Sequence, residues 1–232
     1  MRHLLNTLFV LTEDSYLALD GENVLVLQAE ETLARFPLHG LEGILYFGYK
    51  GASPALMGAC AKRNIQLCFM TQSGRFLARV SGETRGNVLL RKNQYAVSEN
   101  AAQSLLLARG FITGKLFNAR WVLERATRDH PMRVDVPRLK EESRKLNNAI
   151  VHVEACEQAD SLRGIEGEAA SAYFGVFDEL ILRDDEAFRF GSRSRRPPLN
   201  NVNAMLSFLY AILANDCAAA LEGAGLDPYI GF

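Results

Sequence analysis

"SGETRGN", residues 81 to 87, is a polar, glycine-containing loop between two stretches of different periodicity. On its amino-terminal side, short β-branched or aromatic segments separated by polar residues predict strands: "TLFVL", "YLALD", "NVLVLQ", "GILYF", "IQLCFM" and "RFLARV". "DGEN" at residues 20 to 23 is a hairpin signal, so an antiparallel meander is expected. One helix interrupts the strands, because "SPALMGACAKRN" sets Ser53 as a cap and Pro54 at the first helical position. On the carboxy-terminal side, "SENAAQSLLLARGFITGKLFNARWVLERATRD" and the segment from Pro137 to Ala159 repeat apolar residues every three or four positions. "PPLNNVNAMLSFLYAILANDCAAALEGAG" reads as a long helix started by proline and ended by glycine. The fold class is therefore α+β. An amino-terminal antiparallel β-rich domain with one packed helix, residues 1–90, precedes an all-helical carboxy-terminal domain, residues 97–232.

Composition narrows the function. Of 232 residues, 48% are hydrophobic and 23% charged, the balance of an ordered globular chain. A formal charge of −1 carries no global signature of nucleic-acid binding, so any such role must rest on local patches. The four cysteines, Cys60, Cys68, Cys156 and Cys217, form no C-x-x-C pair and are expected as buried thiols. His3, His39, His130 and His152 share no metal-ligand spacing. No apolar run approaches the roughly 18 residues of a membrane span, and the first residues do not fit a signal peptide, so a cytoplasmic protein without a membrane partner is expected. The phosphate-loop, zincin and nucleophile-elbow motifs are missing.

Three features invite a functional reading. In "SLRGIEGEAASAYFGVF", residues 161 to 177, a helix capped by Asp160 or Ser161 would bury Leu162, Ile165, Ala169, Tyr173, Val176 and Leu180, with Glu166 at the border of that stripe and Glu168 in solvent. Gly164 and Gly167 cost such a helix about 1 kcal/mol each. Glu166 is either a metal ligand or general base beside an apolar face, or an acidic residue favoured near a helix start by the macrodipole. Asn200, Asn203, Ser207 and Tyr210 share one side of the last helix, as a cleft wall or as a face open to water. Arg189, Arg193, Arg195 and Arg196 lie in a Gly/Ser/Pro-containing loop that reads as a phosphate clamp or as a solvated linker. Arg120, Arg125, Arg128 and Arg133, spread around another helix and its end, are less specific.

"LRGIEGEAASAYF", "PPLNNVNAMLSFLYAIL" and "AGLDPYIGF" together resemble the CRISPR-associated integrase family Cas-one, most like its compact subtype I-C branch. "LLNTLFVLTEDSYLALDGENVLV" and "FPLHGLEGILYFG" are similar to that family's amino-terminal β domain. The resemblance implies a β-rich domain used to form a homodimer and a helical domain holding a Mg²⁺- or Mn²⁺-dependent endonuclease and integrase site. It implies double-stranded and branched DNA as substrate, the Cas-two protein as partner, and insertion of new spacers as the task. It places a metal-binding, catalytic carboxylate on Glu166 and a site tyrosine on Tyr210. It puts Asn200 and Asn203 in the family's polar helix, and these two are expected as DNA contacts together with Arg189, Arg193, Arg195 and Arg196 of the basic loop. Two further metal ligands, a histidine just after "GF" and a later acidic residue, would follow Phe232, so the chain is expected to be truncated and inactive as it stands. The other reading is a noncatalytic DNA-binding and assembly module. In the enzyme reading, Gly164 and Gly167 let the Glu166 helix pack tightly on a neighbour, so that the carboxylate enters a narrow metal cleft.

Overall fold

A computed structural model describes residues 6–29, 31–83 and 87–232, which leaves His3 and positions 84–86 of the expected loop outside the described residues. The chain is α+β, strands first and helices after, and it divides into two compact units. One is Met1–Leu90 with Phe208–Pro228; the other is Arg91–Ser207 with Tyr229–Phe232.

The first unit holds two sheets. Strands β2 (Ser15–Asp20), β3 (Asn23–Gln28) and β4 (Glu31–Pro37) form the expected antiparallel meander. The β2–β3 turn passes through Gly21 at φ +57°, a conformation that glycine adopts without the Cβ clash of other residues. The second sheet, in the order β1 (Thr7–Val10), β5 (Gly43–Phe47), β6 (Gln66–Met70), β7 (Phe76–Val80), departs from the expectation. β1, β5 and β6 run parallel, and only β7 is antiparallel to its neighbour. The connections explain the difference: the whole meander lies between β1 and β5, and helix α1 (Pro54–Arg63) lies between β5 and β6. Each is long enough to return the chain in the same direction, which a short turn cannot do. As expected, Ser53 Oγ caps α1 by accepting from Leu56 N at 3.2 Å.

Residues of the central strands alternate between two cores. Ile44, Tyr46 and Leu67 join Leu17, Val24, Leu38 and Leu56 in one cluster. Leu45, Phe47, Cys68 and Met70 point the other way, and Phe208 and Ile212 of helix α6 (Asn201–Gly223) pack against them. The Phe208 ring lies on Gly74, where a Cβ would fall 2.1 Å from it. An Arg79–Glu222 ion pair and a Gln66 Nε2 to Asn215 O bond of 3.3 Å fasten the same helix. The carboxy-terminal domain expected over 97–232 is corrected here: Phe208–Pro228 belongs with the strands, because a buried mixed sheet has a second apolar face to cover. By length and composition α6 is long and apolar enough to cross a bilayer, and its Phe208 and Ile212 pack on the sheet.

The second unit is helical. Its core joins α3 (Ala101–Asp129), α4 (Val136–Glu154) and α5 (Ala159–Gly175) through Leu116, Leu123, Leu139, Leu146, Val153, Leu162 and Ala169. The expected continuous helical segment around residue 98 is divided at Asn100, whose side chain caps α3 by accepting from Gln103 N at 3.1 Å. Helix α2 (Val88–Glu99) precedes that cap and starts earlier than the expected boundary at 97.

Candidate nucleic-acid and metal site

Helix α5 carries Glu166. It begins at Ala159 with Gln158 at the cap position, earlier than the expected Asp160 or Ser161 start, and Asp160 instead pairs with Arg163 in the first turn at 3.1 Å. The apolar stripe forms as read: Leu162, Ala169 and Val176 are buried, and Ile165, Tyr173 and Leu180 pack against them. Glu168 is exposed. Glu166 borders the stripe with its side chain 34% exposed, and Lys115 Nζ, from α3, donates to Glu166 Oε1 at 2.5 Å. The carboxylate is therefore directed along the α3–α5 flank and open to solvent on one side.

The flanking glycines do something other than expected. A Cβ at Gly164 or Gly167 would meet nothing within 4 Å, so neither position is held against a neighbouring element. Their effect is to leave the helix surface around Glu166 bare, which suits close approach of a large ligand. The close-packing explanation is corrected accordingly.

The arginine loop is organised by an aromatic anchor that has no periodic signal in the sequence. Phe190 is fully buried, with its ring 4.8 Å from that of Phe177 and 5.9 Å from that of Phe174, and its N–H donates to Asp178 Oδ1 at 2.8 Å. Asn200 Nδ2 donates to Phe190 O at 2.6 Å, while Asn200 Oδ1 caps α6 by accepting from Asn203 N at 2.8 Å. Asn203 is 0% exposed; its Nδ2 donates to Ser192 O at 2.8 Å and its Oδ1 accepts from Ser194 N at 3.0 Å and Arg193 Nη1 at 2.9 Å.

These bonds correct the assignment of Asn200 and Asn203 as DNA contacts, because their amides are used in folding the loop back onto the start of α6. They also divide the four arginines. Arg193 is tied to Asn203, and Arg189 lies near Asp178 and Asp184 at 3.8 and 3.6 Å. Arg195 and Arg196 are exposed and make no ion pair or side-chain hydrogen bond among the described residues, so they are the two that present their charge outward. Ser207 Oγ is buried without a hydrogen-bond partner. Tyr210 is 51% exposed and belongs to the compact unit of the strands, whereas Glu166 belongs to the helical unit.

Among the described residues, no three His, Cys, Asp or Glu side chains cluster so as to hold a metal ion. Glu166 is a single hard ligand already neutralised by an ammonium, whereas Mg²⁺ and Mn²⁺ take about six ligands, several of them oxygen. The described residues do not by themselves fit a resident divalent ion.

The family model for CRISPR associated protein Cas1 matches residues 8–232. The chain belongs to the Cas1 family. It is 48% identical over 232 residues to CRISPR-associated endonuclease Cas1 1 of Chlorobaculum tepidum, covering 100% of this chain and 68% of that protein. The fold is similar to a Cas1 protein from Thermotoga maritima at a TM-score of 0.75 and 20% identity, with 98% of this chain and 69% of that one covered. A chain of a Cas6-RT-Cas1–Cas2 complex is similar at a TM-score of 0.70 and 23% identity, over 95% of this chain and 23% of that one. Lys115, the partner of Glu166, escaped the sequence reading because the contact depends on α3 packing against α5.

Proposed function

We propose that this chain serves as a DNA endonuclease and integrase that inserts new spacers into a CRISPR array, with Glu166 as its acidic site residue. Family membership carries the reading, and the placement of Glu166 supports it: an accessible carboxylate on a rigid helix, with bare glycine positions beside it through which a phosphodiester can approach. The compact subtype I-C assignment, dependence on Mg²⁺ or Mn²⁺, homodimer formation, a Cas2 partner and a cytoplasmic location belong to the same proposal. The name of the C. tepidum relative supports nuclease activity, and likeness to a chain of the Cas6-RT-Cas1–Cas2 complex supports the partner.

Within this chain the residues do limited chemistry. Glu166 accepts a hydrogen bond and carries negative charge, Lys115 holds that charge in place, and Arg195 and Arg196 offer outward guanidinium groups to phosphate. A divalent ion would supply Lewis-acid activation of the phosphodiester, but with ligands beyond those assembled here. That observation favours a second reading for the 232-residue chain alone, a noncatalytic DNA-binding and assembly module.

The test compares Glu166→Ala with the unaltered protein, at full family length, in cleavage of branched DNA with Mn²⁺. Loss of cleavage with retained DNA binding is expected; equal rates remove Glu166 from the mechanism. The 232-residue chain in the same assay is expected to bind DNA without cutting it.

A further inference from the structure

Away from Glu166, helices α3 and α4 flank a half-open surface notch of about 220 Å³ lined by Arg120, Glu124, Ser143, Arg144, Asn147 and Asn148. Arg144, Asn147 and Asn148 stand at its exposed rim. Arg120 Nε is buried without a hydrogen-bond partner, and among the described residues Arg120 and Arg144 form no ion pair and Asn147 and Asn148 no side-chain hydrogen bond. The acidic member of the lining is already occupied: Glu124 accepts from Lys140 Nζ and Ser143 Oγ, and these bonds hold its carboxyl below the usual glutamate range. With Glu124 matched by Lys140, the two arginines leave the notch positively charged. Arg120 is attracted to Glu124 only at longer range.

A buried charged donor without an acceptor is a standing cost that native proteins rarely leave uncompensated. Two guanidinium forks beside two carboxamides match a tetrahedral oxyanion, since each fork donates in parallel and each amide adds a neutral donor. We propose that this α3–α4 notch binds a phosphate group, and that in DNA binding it holds a backbone phosphate at a point separate from Glu166. The DNA source rests on the function proposed above; the oxyanion chemistry rests on the lining residues. A contact of this kind positions the duplex and carries no sequence information.

The experiment uses the 232-residue chain and the double variant Arg120→Gln/Arg144→Gln, with Arg144→Gln as a surface variant that spares the buried Nε. A short fluorescent duplex is titrated at several salt concentrations, inorganic phosphate is titrated by calorimetry, and circular dichroism checks folding. The double variant is expected to bind DNA roughly tenfold more weakly, to flatten the slope of log K against log salt by about 0.9 for each phosphate it no longer neutralises, and to lose the phosphate heat. Arg144→Gln should show part of each change. DNA binding unchanged in affinity and slope in both variants overturns the proposal. Should the unaltered chain bind no DNA, the spacer-integration reading fails separately; the notch then stands only if phosphate heat is present and vanishes in the variants, which identifies free phosphate as the ligand. No heat and no DNA binding overturn both.

Discussion

At position 166 a carboxylate and an ammonium share one hydrogen bond, and a cation that uses Oε1 of Glu166 competes with Lys115 for it. The two side chains are 34% and 49% exposed, so the pair is worth about 0–1 kcal/mol. Lys115→Met is therefore expected to lower the Mn²⁺ concentration for half-maximal cleavage, in protein of full family length, by up to roughly fivefold. A metal titration of the cleavage rate measures this, and an unchanged half-point would mean that Lys115 leaves the carboxylate before the metal arrives. Asn203 shows the opposite case, a polar residue whose chemistry is spent on the fold. Asn203→Ala removes a fully buried amide that accepts from Ser194 N and Arg193 and donates to Ser192 O, so urea unfolding should show a loss of about 2–3 kcal/mol. The residue pattern placed Glu166 at the edge of its stripe correctly. It could not tell a ligand-facing asparagine from a cap, because both uses require the same side-chain atoms.

Among the elements, α5 is the one built against its own propensity. Gly164 and Gly167 sit inside a regular helix, neither has a positive φ, and a methyl group at either would touch nothing within 4 Å. Alanine at each should raise stability by about 0.5–1 kcal/mol, checked by chemical denaturation. If the bare surface admits DNA, the same variants will cleave or bind more weakly while unfolding later; a gain in stability with no loss of function would make the glycines incidental. α6 was legible as a helix from its apolar spacing, but its partner was not. One end is capped by Asn200, where the loop folds back through Phe190, and the other half covers a sheet face through Phe208 and Ile212. Periodicity reports that a face is apolar, never which surface it meets.

For the whole molecule, burial separates the four thiols. Cys60 and Cys68 lie in the cores on either side of the mixed sheet, and burial pushes both thiols up to about 11, although Arg63 and Arg79 pull the other way. Their thiolate fraction at pH 8 is correspondingly small. Cys156 is buried, with Sγ 3.2 Å from Gln158 O, and Cys217 is exposed. A thiol-reactive dye at that pH is expected to label one cysteine quickly in the native protein and four after denaturation. A second fast thiol would show that one of the cores opens readily. The sequence by itself determined the class of the fold, strands then helices, together with the α5 stripe and the family, because these depend on local periodicity and on motifs contiguous in the chain. Only the tertiary structure decided the parallel pairing of β1, β5 and β6, the membership of Phe208–Pro228 in the strand unit, the Lys115–Glu166 pair and the cationic notch of Arg120 and Arg144. Each of these joins residues far apart in the chain, and their meeting is set by how apolar faces are covered, a property of the packed whole that no local pattern encodes.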